Sequence, residues 1–392
     1  MREFLRLNEI SGAVSSVLKD KYTLVTEASA PVGIMVRSFK MHEYNPQESV
    51  LCVGRAGAGV NNIPLDRYAE EGIVVFNAPG ANSNAVKELV ITAMLLCGRR
   101  IIPGIAWAQS LTDGEKTVSE QVEKGKSKFA GTEIAGKTLA VYGLGAIGMK
   151  VANAAVALGM KVVGYDPYLS EAAAKAMNPE IRRVDTIDEL IDGCNYITVH
   201  VPLTPETKEF VNKNTLAKMA DGVNVINCAR GELVNNADIK EALASGKVNR
   251  YVTDFPSAEV LGVEGLITIP HLGASTEEAE DNCAVMTAEQ MVDYIENGNI
   301  VNSVNYPRVT LEAQGKVRMV VLFRECAKEA VEAKLAEMKK IVNSVVQVKK
   351  GYGAALVNLS DMPCDNCVDF LKGIEGVTKV YFPHKECCCC KA

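Results

Sequence analysis

Three residue types that proton and hydride chemistry at a hydroxy acid requires stand at successive predicted strand ends. Arg230 follows a strand expected over 223–227, Glu259 lies in the loop after one over 248–253, and His271 follows one over 266–269. An arginine fork binds a carboxylate bidentately and polarises a neighbouring carbonyl. A histidine titrates near neutral pH and suits the role of base toward a hydroxyl. A carboxylate beside that histidine favours the imidazolium and fixes its tautomer. Of only four histidines, His271 alone follows a strand and precedes a glycine-containing helix start. Singly, the histidine is as well read as structural and the arginine as a surface ion pair.

A second constellation binds phosphate. Gly143-Leu144-Gly145-Ala146-Ile147-Gly148 follows the apolar run 138–142, opens into an Ala-rich helix over 149–158, and leads to a second strand over 161–165. In that setting the first glycine permits the tight turn and the second lets the backbone approach a pyrophosphate. The third lets helix pack on strand, and the free N–H groups at the helix start, from Ala146 and Ile147, attract phosphate. Asp166 lies 18 residues after Gly148 (166 − 148). There a carboxylate accepts hydrogen bonds from an adenosine ribose and repels a 2′-phosphate, and Pro167 and Tyr168 supply no cation. The expected cofactor is NAD rather than NADP.

The elements that must position these groups alternate. Strands over 32–36 and 50–53 are followed by Arg37 and Ser38, and by Arg55, Ala56 and Gly57. Ligands of parallel sheets bind beyond the carboxyl ends of strands, so both arginines stand where a ligand would lie. A long helix is expected over 82–108, capped by Ser83 or Asn84 and kinked or split by Pro103-Gly104. Residues 111–136 read as an exposed polar connection. Beyond Asp166 the alternation resumes, and each strand ends in residues facing the cofactor side: His200, Pro202 and Thr207; Cys228, Ala229 and Arg230; Asp254; His271. A second long helix over 276–297 brackets this middle region, so the chain is expected to cross over and cross back.

Composition sets the limits. The 392 residues, 48% hydrophobic and 23% charged, suit a globular protein of two or three domains. The net charge of −6 argues against a general nucleic-acid binder. No stretch approaches an uninterrupted apolar membrane span, and the first residues lack a secretory pattern, so the cytoplasm is the expected location. Of twelve cysteines, Cys52, Cys97, Cys194, Cys228, Cys283 and Cys326 look like core positions. The other six crowd the end: Cys364, Cys367 and Cys387 to Cys390. Cys364-x-x-Cys367 with His384 or the tail invites a metal or redox reading; a structurally idle thiol tail is the alternative, and no metal site is assigned.

Together GLGAIG with GYDPY, VHVPLTPETK, INCARGELV and IPHLGAST, in this order, resemble the D-isomer-specific 2-hydroxyacid dehydrogenases over about residues 30–305. The resemblance implies that His271 is the acid/base, Glu259 its partner, and Arg230 the carboxylate and carbonyl ligand. It also places Asp254, the Cys228-Ala229 backbone and the Gly273-Ala274 backbone against the nicotinamide. RAGAGVNN and GANSNA are similar to the substrate loops of members acting on a phosphorylated 2-hydroxy acid, with Arg37 and Arg55 toward the phosphate and Asn82 and Ser83 beside the carboxylate. The activity implied is NAD-dependent oxidation of D-3-phosphoglycerate to 3-phosphohydroxypyruvate. Reduction of hydroxypyruvate or glyoxylate on the same machinery, and a non-catalytic NAD-sensing corepressor, are the rivals.

The implied fold is α/β. Two Rossmann- or flavodoxin-like doubly wound parallel-sheet domains are joined by long crossover helices, the expected hinge and dimer surface, with a small C-terminal α+β domain. The expected boundaries are 1–92, completed by 277–305, for substrate; 93–276 for the dinucleotide; and 306–392 for the last domain. Its βαββαβ order resembles the ACT regulatory domain, although Arg324-Glu325-Cys326-Ala327 stands where a glycine-bearing turn is usual. Subunit contact is its alternative role, and a homodimer or homotetramer is expected.

Overall fold

Short β-branched and apolar runs form the strands of three sheets in the computed structural model, which describes residues 1–383. The first sheet is β1 (Arg2–Arg6), β2 (Tyr22–Val25), β3 (Gly33–Val36), β4 (Cys52–Arg55) and β5 (Val74–Phe76), all parallel in the order β2-β1-β3-β4-β5. Alternate side chains serve its two faces. Phe4, Met35, Cys52, Val74 and Phe76 meet Met291, Tyr294 and Ile295 of the helix Glu277–Asn297. Leu5, Ile34, Val36, Val53 and Val75 pack with Tyr68 on the other side. Burial on both faces is why these strands read as nearly continuous apolar runs.

The second sheet is also parallel: β6 (Thr138–Tyr142), β7 (Lys161–Tyr165), β8 (Ile181–Arg183), β9 (Tyr196–Val199), β10 (Val223–Asn227), β11 (Val248–Thr253) and β12 (Leu266–Thr268). Its order, β12-β11-β10-β9-β6-β7-β8, reverses between β6 and β9. That reversal leaves a crevice beyond the carboxyl ends of the two strands, the place where doubly wound sheets take ligands.

The third sheet is antiparallel, with β13 (Val317–Arg324), β14 (Ile341–Lys349), β15 (Tyr352–Leu359) and β16 (Val377–Tyr381) in the order β14-β15-β13-β16. Helices Lys328–Glu337 and Asp365–Gly373 complete the βαββαβ sequence. Met319, Val321 and Phe323 of β13 face these helices. Val320 and Leu322, pointing the other way, join the core beneath the first sheet. Each such buried side chain contributes about 1.5–3 kcal/mol relative to exposure.

Packing divides the chain into two units, residues 1–82 with 277 onward, and residues 83–276. The C-terminal sheet packs on the elements of the first sheet. Lys379 Nζ donates to the Val50 carbonyl (3.0 Å), Tyr381 Oη to the Tyr294 carbonyl (3.0 Å), and Arg324 and Tyr352 both hold Glu70. Burial lowers the Lys379 pKa from its ordinary value. Buried Arg318 reaches the Asn297 carbonyl (2.7 Å) at the end of the long helix, where a cation is favoured.

The helix expected over 82–108 is two helices, Ser83–Gly98 and Ile101–Gln109, bent by 72°. The break falls before Pro103-Gly104. Thr132 N–H takes the Gly98 carbonyl (2.8 Å), withdrawing it from the helix, and Pro103 falls in the first turn of the next helix, where its missing N–H costs nothing. The first of these helices buries Val86, Val90, Ala93 and Met94 against Leu139 and Val141, so all of it packs with the second unit. The connection expected over 111–136 contains a helix, Val118–Gly125, held by a Thr117/Glu120 capping box. Cys326, expected in the core, is exposed. No single helix among the described residues is long and apolar enough to cross a membrane.

Candidate active site

In the second unit the glycine loop follows β6. Gly143 has φ +93°, and a Cβ there would lie 2.6 Å from the His200 carbonyl oxygen. A Cβ on Gly148 would lie 1.8 Å from the Gly143 carbonyl oxygen, so helix and strand meet at a distance only glycine allows. Gly145 is exposed, with open space where a Cβ would stand. It caps the helix Ala146–Ala157 without a side-chain hydrogen bond, leaving the first-turn N–H groups, at Ala146 and Ile147, uncapped by any side chain. The loop fits a pyrophosphate. Gly148→Ala is expected to abolish NADH binding in a fluorescence titration and to cost about 1–3 kcal/mol of stability through overpacking. Unaltered NADH affinity would remove the loop from the cofactor site.

Asp166 follows β7, and its carboxylate is engaged locally. Oδ2 accepts from the Leu144 N–H and Oδ1 from the Tyr168 N–H, both at 2.9 Å. The same side chain that would meet a ribose therefore also holds the glycine loop in place. A carboxylate has about four lone-pair positions, so both tasks are compatible.

Beyond β9, the Thr198 hydroxyl lies 3.0 Å from His200 Nε2, while His200 Nδ1 is buried without a hydrogen-bond partner. Burial lowers the His200 pKa to about 4, so the ring is neutral near pH 7. Thr207 donates to the Pro202 carbonyl (2.7 Å) and fixes the loop after this strand.

Asn227, fully buried at the end of β10, organises the next turn. Its Oδ1 accepts from Ala229 N–H (3.1 Å) and its Nδ2 donates to the Arg230 carbonyl (2.7 Å). Cys228 is buried and its thiol pKa is pushed up by burial, so the turn offers its backbone and not a thiolate. Arg230 is exposed, and its Nη1 donates to the Ala229 carbonyl at 2.6 Å.

His271 is also exposed, with its ring centroid 4.7 Å from that of Phe255. Neither a hydrogen bond nor an ion pair joins it to Glu259. Asn236 donates to Glu259 Oε2 at 2.7 Å instead, and Glu259 lines a cavity of about 540 Å³ with Asn236, Phe255 and Val260. The expected Glu259–His271 partnership is thus unmade here. The short loop after β11 carries the carboxylate toward the helix Asn236–Ala244, where a neutral amide satisfies it.

The carboxylate that feels His271 is Asp254. It is 1% exposed, and neither oxygen has a well-formed hydrogen bond. Burial raises its pKa above the ordinary value, against the opposing pull of His271, the Gly273 N–H and Arg230. An orphaned buried carboxylate beside a histidine and an arginine marks a ligand site better than it serves stability. Its raised pKa means the folded state binds the proton more tightly, so ionised Asp254 destabilises the fold above that pKa. Asp254→Asn is expected to stabilise the protein by about 1 kcal/mol at neutral pH and to weaken NADH binding. The stability gain should shrink as acid protonates the wild-type carboxyl. Denaturant unfolding at neutral and mildly acidic pH checks this; a destabilised variant would contradict it.

In the first unit Arg37 and Arg55 are neighbours at the carboxyl ends of β3 and β4, where Val36 is registered with Arg55. Arg55 Nε donates to the Arg37 carbonyl (3.0 Å), and Thr287 donates to that of Arg55 (3.1 Å). Gly57, at φ +155°, lies so close to the Arg55 guanidinium that a Cβ would clash at 2.2 Å, and Ala56 is buried beside it. Arg37 Nη1 pairs with Glu280 Oε1 at 2.7 Å. Ser38 is near Asn8, whose amide donates to its hydroxyl at 3.5 Å. Asn82 Oδ1 is buried without a hydrogen-bond partner. Ser83 and Ala274 are placed in the second unit, Ser83 buried and Ala274 partly so.

Three residues of evident consequence escape a reading of the sequence: Asn227, Asn236 and Glu280. Asn227 had a signal, since an asparagine two residues before a needed N–H forms an Asx-type turn. Glu280 and Asn236 had none, because their partners are distant in the chain. A larger cavity, about 960 Å³, lies at the amino ends of β9, β10 and β11 around Asn195, Asn224 and Val248, away from this chemistry.

Residues 102–275 match the family described as D-isomer specific 2-hydroxyacid dehydrogenase, NAD binding domain. D-3-phosphoglycerate dehydrogenase of Methanocaldococcus jannaschii is 38% identical over 284 residues, 71% of this chain and 52% of that protein. The chain spans about half the length of the curated relatives it matches. Among solved structures, NAD⁺-bound 3-phosphoglycerate dehydrogenase of Entamoeba histolytica is similar with a TM-score of 0.61 and 26% identity, over 78% of this chain and 98% of that one. A glyoxylate reductase from Paecilomyes thermophila shares the fold at a TM-score of 0.61 and 24% identity, over 77% and 98% of the two chains. The doubly wound order of both parallel sheets and the glycine loop at the switch point agree with this likeness to the D-isomer specific 2-hydroxyacid dehydrogenases, which the family model carries over residues 102–275.

Proposed function

We propose that this chain catalyses NAD-dependent oxidation of D-3-phosphoglycerate to 3-phosphohydroxypyruvate, the entry to L-serine synthesis. The observation that carries the choice of substrate is the pair Arg37 and Arg55 on adjacent, registered strand ends, 3.0 Å apart through Nε and a carbonyl. A phosphate dianion calls for two such forks, and an unphosphorylated acid needs neither.

In this reading His271 takes the proton from the C2 hydroxyl, and Arg230 holds the carboxylate and the developing carbonyl. NAD held by these residues would supply the acceptor for the hydride leaving C2. Asp254 holds the nicotinamide edge and, with Arg230, sets the charge around His271. Glu259 supports His271 only after exchanging Asn236 for the imidazole, an order of events that makes Asn236 the resting partner. Gly143, Gly145, Ala146, Ile147 and Gly148 cradle the pyrophosphate, and Asp166 the ribose. His200, Pro202, Thr207, Cys228, Ala229, Gly273 and Ala274 line the cofactor side. Ser38, Ala56, Gly57, Asn82 and Ser83 shape the substrate loops. The reading also makes the βαββαβ module an ACT-like domain and the protein a cytoplasmic homodimer or homotetramer.

The Arg37–Glu280 pair favours a second reading, because it already neutralises one of the two cations. In that case the substrate is hydroxypyruvate or glyoxylate. NADH oxidation with 3-phosphohydroxypyruvate and hydroxypyruvate side by side separates the two. A preference for the phosphorylated acid is the expected result; equal or faster turnover of hydroxypyruvate selects the second reading.

A further inference from the structure

Eight cysteines lie among the described residues, and their surroundings divide them. Cys52, Cys97, Cys194, Cys228 and Cys283 are buried, and burial raises the pKa of each, which keeps them protonated and unreactive. Cys326 is exposed. Cys364 and Cys367 are different, because their sulfurs lie 2.9 Å apart.

The local geometry explains the approach. Cys364 is the N-cap of the helix Asp365–Gly373, extended at φ −68° and ψ 151°, and Cys367 is the third helical residue. An N-cap side chain points back toward the third residue of its helix, as in a capping box, so two cysteines at this spacing face each other. The Cys367 N–H donates to the Cys364 carbonyl at 3.0 Å and closes the turn. Cys364 is exposed, while Cys367 is half-buried against the core of the C-terminal sheet. One sulfur is therefore open to solvent and the other sits behind it. Hydrogen bonding from Cys367 lowers the Cys364 pKa, and the shared proton raises that of Cys367. A metal reading is poorer, since no group of three or more His, Cys, Asp or Glu side chains placed to hold an ion occurs among the described residues. His384 and Cys387 to Cys390 lie outside them.

We propose that Cys364 and Cys367 form a thiol–disulfide exchange site, with Cys364 the attacking sulfur, Cys367 the resolving one, and a low-molecular-weight disulfide as oxidant. The Cys364 thiolate attacks one sulfur of R–S–S–R, forming Cys364–S–S–R and releasing R–S⁻. Cys367 then gives its proton to solvent and attacks the Cys364 sulfur, forming the Cys364–Cys367 bond and releasing a second R–S⁻. The pair loses two electrons and the oxidant becomes two thiols. The product ties the N-cap to the first turn of a helix that packs on β16.

The test uses the full chain, reduced, freed of reductant and exposed to oxidised glutathione. It is then quenched in acid, alkylated and digested with trypsin. Residues 351–372, flanked by Lys350 and ending at Lys372, contain Cys364 and Cys367 and no other cysteine. That peptide is expected to be recovered lighter by two hydrogen atoms and free of glutathione. In Cys367→Ser, Cys364 should instead retain glutathione, reacting at least about tenfold faster than Cys326, which is also exposed but has no thiol neighbour among the described residues. In Cys364→Ser, Cys367 should be modified no faster than Cys326. The proposal is overturned if the wild-type peptide stays a dithiol while Cys326 is glutathionylated, or if Cys364 or Cys367 is bridged only to cysteines beyond residue 383. It is equally overturned if protein purified without chelator retains a metal that the double serine variant loses.

Discussion

Replacing His271 with asparagine is expected to lower kcat by about 10²–10⁴-fold, the usual contribution of a positioned acid/base. Asparagine keeps the polarity and much of the bulk of the imidazole but cannot carry the proton from the substrate hydroxyl. His271 is exposed and makes one ring contact, with Phe255, so folding should be unaffected. The NADH affinity of the variant should stay within a few-fold of wild type, which separates lost chemistry from lost binding. Steady-state NADH oxidation and a fluorescence titration measure the two quantities. A variant that turns over at the wild-type rate would force the base to be sought elsewhere, with Asp254 the nearest titratable alternative.

The second large effect concerns selectivity. Arg55→Ala is expected to reduce the ratio of kcat/KM for 3-phosphohydroxypyruvate over hydroxypyruvate by about 10–10²-fold, the value of one or two charge-assisted hydrogen bonds. Turnover of hydroxypyruvate should change little, because that substrate has no phosphate to lose. Arg37→Ala is the less informative variant. It leaves Glu280 without its cation and so adds a repulsive carboxylate to the loss of an attractive guanidinium. A ratio unmoved by Arg55→Ala would place the phosphate, or the preference itself, outside this pair of strands.

Local sequence determined a good deal of this protein. The glycine loop was legible because its requirements are steric and short-range. Gly148 must lack a Cβ to meet the Gly143 carbonyl, and the strand and helix that impose the meeting flank it directly. The parallel strands were legible because burial on both faces leaves continuous apolar runs. The βαββαβ order was legible because β13 and β15 are continuous apolar runs and the helix Asp365–Gly373 is amphipathic. The strand-end positions of Arg37, Arg55, Arg230, Asp254 and His271 followed from the same runs.

Only the tertiary structure decided what those side chains touch. Glu259 rests on Asn236, and Arg37 on Glu280, because a carboxylate or guanidinium takes the best partner within reach, and reach is set by packing between elements distant in the chain. Asp254 is orphaned because β11 and the Gly273 turn bury it, a condition no composition or spacing records. The helix from Ser83 packs with the second unit because its apolar face fits Leu139 and Val141, and the C-terminal sheet docks because β13 has a second buried face. Elements follow from local sterics and hydrophobic period; partnerships follow from three-dimensional proximity, where charges and hydrogen bonds compete over a few ångströms.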